Sequence, residues 1–129
     1  MEIKNLIQLK NLKLTVARRE LLEILIKETK PVSFEDIKDK INMNKATFYR
    51  NIAMFESSQI VNSFESNDKK RYYELQSSPH AHFICNICNK IECLKQIEEN
   101  TLKGYKVIDV IYKGICKNCI ESQKYKPLL

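Results

Sequence analysis

Two C-x-x-C pairs, Cys85-x-x-Cys88 and Cys116-x-x-Cys119, constrain this 129-residue chain more than any other feature it carries. Tetrahedral zinc takes four soft ligands at about 2.3 Å, and two such turns closing on one ion supply them with little loop strain. The competing reading is a redox dithiol, but that motif is expected once and near a βαβ pattern; two pairs favour metal. A region of about 50 residues also has too little core to fold alone, so four thiolates around zinc would make a structural site with no open position for catalysis. Five cysteines in all, an odd number, fit metal ligands in a reducing compartment better than a disulfide framework. The opening "MEIKNLIQLKNLKL" lacks the apolar core and cleavage site of a secretory signal. No stretch reaches the roughly 20 apolar residues of a membrane span. The chain is therefore expected to be soluble and cytoplasmic, with no membrane association.

Upstream of the cysteines the apolar residues follow a helical period. "TVARRELLEILIKET" places Leu21, Leu22, Leu25 and Ile26 on one stripe, with Thr15 as N-cap and Lys30-Pro31 as the stop. "SFEDIKDKI" restarts with Ser33 as N-cap and Asp36 at N3, and puts Phe34, Ile37 and Ile41 on one face. Asn44 caps a third segment, "KATFYRNIAMFESS", in which Phe48, Ile52 and Phe55 face a core. The period then changes to two: "IVNSFES" and "RYYEL" flank the turn "NDKK" and predict a hairpin. Three helices and a hairpin in this order predict a winged helix-turn-helix over residues 1–76. The polar "QSSP" marks a hinge at 77–79. Residues 80–129, with strand-like "KIECL", a helical stretch from Lys95 to Leu102 and the β-rich "YKVIDVIYKGIC", predict a small α/β domain. The fold class is α+β.

Net charge is +6, but it is spread evenly: residues 1–76 carry 14 basic and 11 acidic side chains, the remainder 8 and 5. Bulk charge permits an anionic partner without locating its face. A winged helix locates it, because the third helix is then the reader and its outer face carries Lys45, Thr47, Tyr49 and Arg50. Arginine can make bidentate contact with guanine, and tyrosine and threonine can touch thymine methyls or phosphates. Lys13, Arg18 and Arg19 around the first helix, with Lys69 and Lys70 in the wing, can clamp the backbone or reach a minor groove.

"HAHFICNICNKIEC" leaves His80, His82 and Cys93 outside the four-cysteine set. Histidines at i and i+2 on an extended segment point to one side, and a strand returning beside them brings Cys93 near. Glu74, at the end of the wing, supplies a fourth donor by chain proximity. Two readings stay open on spacing alone: a second metal site, or solvated histidines with a buried hydrophobic cysteine and a surface carboxylate.

The sequence resembles the ferric uptake regulator superfamily of metal-dependent transcription regulators. The matching stretches are "LKLTVARRELLEIL", "SFEDI", "KATFYRNIAMFESSQIV", "HAHFICNICNKI" and "YKGICKNC", in family order over nearly the whole chain. The resemblance implies a homodimer with an N-terminal winged-helix DNA-binding domain, a hinge and a C-terminal dimerisation domain with structural zinc on Cys85, Cys88, Cys116 and Cys119. It implies base contacts by Tyr49 and Arg50, a minor-groove lysine at Lys13, and a regulatory metal joining the domains through Glu74, His80 and His82. Metal-loaded dimer would then act as a repressor on an AT-rich palindromic operator, with no catalytic role and no small-molecule substrate.

Departures from the family pattern bear on the sensed metal. Pro31 stands where many members have a histidine, Cys93 replaces an acidic ligand, and the shorter connection between knuckles has no histidine for the additional site of some members. One carboxylate, two imidazoles and one thiolate suit tetrahedral zinc better than octahedral iron or manganese. A zinc-responsive regulator, of the zinc uptake regulator branch, is therefore expected ahead of an iron-responsive or a peroxide-responsive one. From other classes, a zinc hydrolase needs an H-E-x-x-H helix or an open site that this chain does not offer, a thiol oxidoreductase would alkylate rapidly at one cysteine, and a zinc-stabilised protein-interaction module would show no DNA affinity.

Overall fold

The computed structural model describes residues 7–8, 11–76, 81–94, 102–107 and 109–122. His80, the hinge at 77–79 and the helical stretch from Lys95 to residue 101 lie outside the described residues. The chain divides into two compact units, residues 1–65 with 70–76 and residues 66–69 with 77–129. The architecture is α+β, as expected, and each unit is considered by itself.

In the first unit, helix α1 spans Val16–Lys27, α2 spans Phe34–Ile37 and continues as a 3-10 turn over Lys38–Lys40, and α3 spans Lys45–Ser57. Each begins where a short polar side chain can accept an orphan backbone N–H. Thr15 Oγ1 accepts from Arg18 N at 3.2 Å, and Asn44 Oδ1 accepts from Thr47 N at 2.8 Å. At α2 the box is reciprocal: Ser33 Oγ accepts from Asp36 N at 3.2 Å while Ser33 N donates to Asp36 Oδ2 at 2.9 Å.

Strands β1 (Val61–Glu65) and β2 (Arg71–Leu75) form the antiparallel wing, with Val61 opposite Leu75 and Glu65 opposite Arg71. The turn between them holds Lys69 at φ 65°, a left-handed conformation taken here by a non-glycine residue. A feature the period did not predict is the bridge between Val32 and Tyr73, with hydrogen bonds of 2.9 and 2.7 Å, which ties the α1–α2 connection to β2.

The core of this unit joins Leu21, Leu22 and Leu25 of α1, Ile37, Ile41, the α3 residues Phe48, Ile52 and Phe55, and Val61 and Tyr73 of the wing. Ile26, expected on the α1 stripe, is instead 37% exposed, while Ile24 packs against the core. The three leucines already fill the inward arc, and Ile26 sits at its solvent edge. The Phe34 ring is tilted against that of Phe48, with centroids 4.9 Å apart, and Tyr73 meets Phe48 edge-on at 5.7 Å.

The described residues of the second unit form a three-stranded sheet followed by a short helix, with the strand Ala81–Cys85 between Ile91–Leu94 and Val110–Gly114. Strand β3 (Ala81–Cys85) pairs antiparallel with β4 (Ile91–Leu94) and parallel with β5 (Val110–Gly114). Helix α4 covers Lys117–Glu121. The expected β-rich stretch from Tyr105 narrows to β5, since residues 105–107 are not strand. Alternation sends Ala81, Phe83 and Cys85 to one face and His82 and Ile84 to the other. Among the described residues no helix is long and apolar enough to cross a membrane.

Candidate metal centre and nucleic-acid interface

Cys85 ends β3, Cys88 lies in the turn after it, Cys116 is the N-terminal flank of α4 and Cys119 sits within that helix. Their ligand atoms all fall within 4.8 Å of one another, with Cys85 Sγ to Cys119 Sγ and Cys88 Sγ to Cys116 Sγ both at 3.8 Å. A tetrahedron with metal–sulfur bonds of about 2.3 Å has edges of about 3.8 Å, whereas a disulfide would bring two sulfurs to about 2.05 Å. The donor set therefore fits zinc in both chemistry and spacing. Cys85, Cys116 and Cys119 also form the buried cluster of this unit, with Phe83 and Ile115 against them.

The knuckles are shaped by backbone N–H groups aimed at sulfur. Cys85 Sγ accepts from Ile87 N at 3.3 Å, Cys116 N at 3.4 Å and Cys88 N at 3.5 Å. Burial pushes the Cys85 thiol up, but these donors outweigh it and draw its pKa down to about 6. Burial and the neighbouring thiols push Cys119 the other way, up to about 12. Four thiolates this close need a cation between them, so zinc binding here displaces protons. The second knuckle is held to the first through the sheet: Cys85 pairs with Gly114, whose carbonyl accepts from Asn86 N at 2.7 Å.

The second expected donor group is brought together in part. His82 and Cys93 are direct partners in the β3–β4 register. They share the face opposite Cys85; His82 is 1% exposed and Cys93 is exposed. Glu74 is half-buried on β2, opposite Asn62. His80 lies outside the described residues. Among the described residues, the four cysteines are the one cluster of three or more metal donors.

Along α3 the outer face carries Tyr49, 41% exposed, and Arg50. Lys45 Nζ sits over the rings of Phe34 and Tyr49, 5.6 and 5.9 Å from their centroids, and Tyr49 packs on Phe48 at 5.1 Å. The tyrosine is thus pre-oriented by an aromatic bed while its edge stays accessible. Thr47 is half-buried, and Lys13 is exposed ahead of α1. The two adjacent arginines part company: Arg19 lies on the surface within 4.0 Å of Glu23, while Arg18 turns inward, donating from Nη1 to Lys13 O at 2.7 Å and from Nε to Asn51 Oδ1 at 3.2 Å. Lys69 and Lys70 are exposed in the wing turn.

Sequence reasoning missed Asn51 and the support role of Phe34. The signal for Asn51 was present: it falls three residues after Phe48, a polar residue on the core-facing stripe of α3, where a polar side chain needs a partner.

A family model for the ferric uptake regulator family matches residues 9–113. The chain is 30% identical to a ferric uptake regulation protein of Neisseria gonorrhoeae, with 92% of this chain and 94% of that protein covered. It is 27% identical to the peroxide operon regulator of Bacillus subtilis, with 88% of each covered. The fold superposes on that of a Helicobacter pylori ferric uptake regulator with a TM-score of 0.74, covering 94% of this chain and 91% of that one at 24% identity.

Proposed function

The chain belongs to the ferric uptake regulator family, and from that premise we propose that it is a homodimeric, DNA-binding transcription repressor whose regulatory metal is zinc. In this reading residues 1–76 read DNA, residues 80–129 dimerise and hold metal, and the protein works in the cytoplasm without catalysis. Structural zinc belongs to Cys85, Cys88, Cys116 and Cys119. The regulatory ion belongs to Glu74, His80, His82 and Cys93, donors drawn from both sides of the hinge.

The observation that carries the choice of zinc is the pairing of His82 with Cys93. Directly opposed residues on antiparallel strands lie about 4.5–5.5 Å apart at Cα, with side chains on one face. An imidazole and a thiolate on opposed residues would supply two of the four donors of a tetrahedral N/S site, and a thiolate is a poor ligand for the harder Mn(II). Pro31, buried before α2, offers no donor where an iron site of the family would draw a histidine.

When bound, the regulatory ion supplies positive charge that its ligands share. Glu74 is the penultimate residue of β2 and His82 is the second residue of β3, so a closed arrangement of the proposed donors would limit how the reading helices of a dimer are held. Metal that favours the closed arrangement thereby raises affinity for an operator whose half-sites match the helix spacing. Lys45, Thr47, Tyr49 and Arg50 would enter the major groove of an AT-rich palindrome, Lys13 the minor groove, and Arg19, Lys69 and Lys70 would lie along phosphates.

A gel-shift titration of metal-depleted protein with Zn(II), Fe(II) and Mn(II) tests this. Zinc should activate binding at the lowest free concentration, and Cys93→Asp should move the preference toward iron or manganese. Activation of the unaltered protein by iron at far lower free concentration would instead support an iron- or peroxide-responsive regulator, a reading favoured by its relatives' functions. Zinc loading with no DNA affinity under any metal would leave a zinc-stabilised interaction module.

A further inference from the structure

Arg18 occupies the first turn of α1, three residues after its N-cap Thr15. A cation there faces the positive end of the helix dipole, so α1 itself gives no electrostatic reason for it. Its hydrogen bonds do give one. Nη1 donates to the carbonyl of Lys13 at 2.7 Å, and Nε donates to Asn51 Oδ1 at 3.2 Å. Asn51, 8% exposed, passes the connection on by donating from Nδ2 to Thr47 O at 3.0 Å. The chain of contacts therefore runs from the residue ahead of α1, through one planar guanidinium, into the first turns of α3.

We propose that Arg18 is a positioning residue that fixes the Lys13 segment to the reading helix, so that Lys13 and the α3 side chains engage DNA as one rigid unit. This rests on the DNA-reading function proposed above. A guanidinium presents its donors in a fixed fork, so two acceptors bonded to it are held at a set separation and angle. Fixing the Lys13 carbonyl fixes where its side chain leaves the backbone. Asn51, spent on Arg18 and Thr47, transmits that position to the turn carrying Thr47, Tyr49 and Arg50. Arg19 gives the contrast, since it lies on the surface within 4.0 Å of Glu23 and has no such tie to α3 among its described contacts.

The alternative is that Arg18 binds a phosphate directly, and charge separates the two. The probe is the duplex that wild-type, zinc-loaded protein enriches from a random library, titrated from about 50 to 300 mM salt. Lys13→Ala should weaken binding about tenfold and flatten the slope of log affinity against log salt by about 0.9. Under the proposal, Arg18→Ala gives the same loss and the same flattening, and the double variant is no worse than either single. Arg18→Lys, which keeps the charge but loses the fork, also behaves like Arg18→Ala. Asn51→Ala, altered at a buried side chain that cannot reach a phosphate, should share the loss and add nothing to Arg18→Lys.

Wild-type affinity in Arg18→Lys, or losses that multiply in the Arg18→Ala, Lys13→Ala double variant, would overturn the proposal while leaving the regulator reading intact. Enrichment of no duplex by the wild-type protein would overturn both. Because Arg18→Lys preserves charge and most of the bulk, its result decides the matter even where Arg18→Ala lowers the melting temperature.

Discussion

The two units of this molecule reach stability by different routes. The first closes a continuous apolar core in which Leu21, Leu22, Phe48, Ile52 and Phe55 are each at most 2% exposed, with aromatic rings interlocked between α2, α3 and the wing. In the second, the buried cluster is Cys85, Cys116 and Cys119 with two partly buried neighbours. Burying a large apolar side chain contributes roughly 1.5–3 kcal/mol, so the first unit accumulates its stability from many modest terms. The second concentrates it in one centre, where four sulfurs stand at the spacing of a zinc tetrahedron. The lesson is that, among the described residues, the cysteines form the buried cluster behind the sheet of the second unit, whereas the first unit is organised by apolar side chains alone.

The largest test of that contrast removes the metal. Strong chelation, or Cys85→Ser, should collapse protection of β3, β4 and β5 in hydrogen exchange on the full chain while the amides of α1 and α3 stay protected. Structural zinc in small domains contributes on the order of 10 kcal/mol or more. Folding of the second unit without zinc would remove the contrast. Acid should do the same more gradually. Zinc holds its ligands only as thiolates, so protons compete with it and zinc retention should fall as pH is lowered and return on neutralising.

Next in size, Phe48→Ala should cost the first unit about 3–5 kcal/mol by opening a cavity at the centre of its core. Zinc content should stay at one structural ion per chain; loss of zinc along with the fold would show that the units are not energetically separate. Ser33→Ala removes one half of the capping box at α2 and should lower the same unit's stability by about 1 kcal/mol in denaturant titrations. Smallest of all, Lys38→Ala breaks a 2.8 Å ion pair with Glu35 that is open to solvent. The pair lowers the Glu35 pKa and raises that of Lys38, but salt and water screen it. The melting temperature should not move measurably.

Much of this was legible in the residues themselves, and the legible parts share one property: they are short-range. Thr15, Ser33 and Asn44 each accept a backbone N–H three residues ahead, an interaction written in residue type and spacing. The two C-x-x-C turns fall in the same class, since each knuckle is local and only their meeting is distant. The core stripe of α3 was readable at Phe48, Ile52 and Phe55, and Ile26 was misplaced because periodicity marks an arc without saying where the neighbouring elements end it.

What the chain alone determined is therefore the order of the helices and wing strands of the first unit, their caps, the four cysteines that gather as a metal-binding set and the family to which it belongs. Tertiary structure alone decided which distant groups meet. It fixed the register that sets Cys93 opposite His82, where the sequence alone places the two only near each other, tied Val32 to Tyr73 and turned Arg18 to Asn51, 33 residues away, instead of leaving it on the surface with Arg19. The reason is physical. A hydrogen bond within one turn is encoded by local geometry, but strand register and long-range side-chain partners are settled only when packing of the whole unit outweighs the entropy of closing the intervening chain.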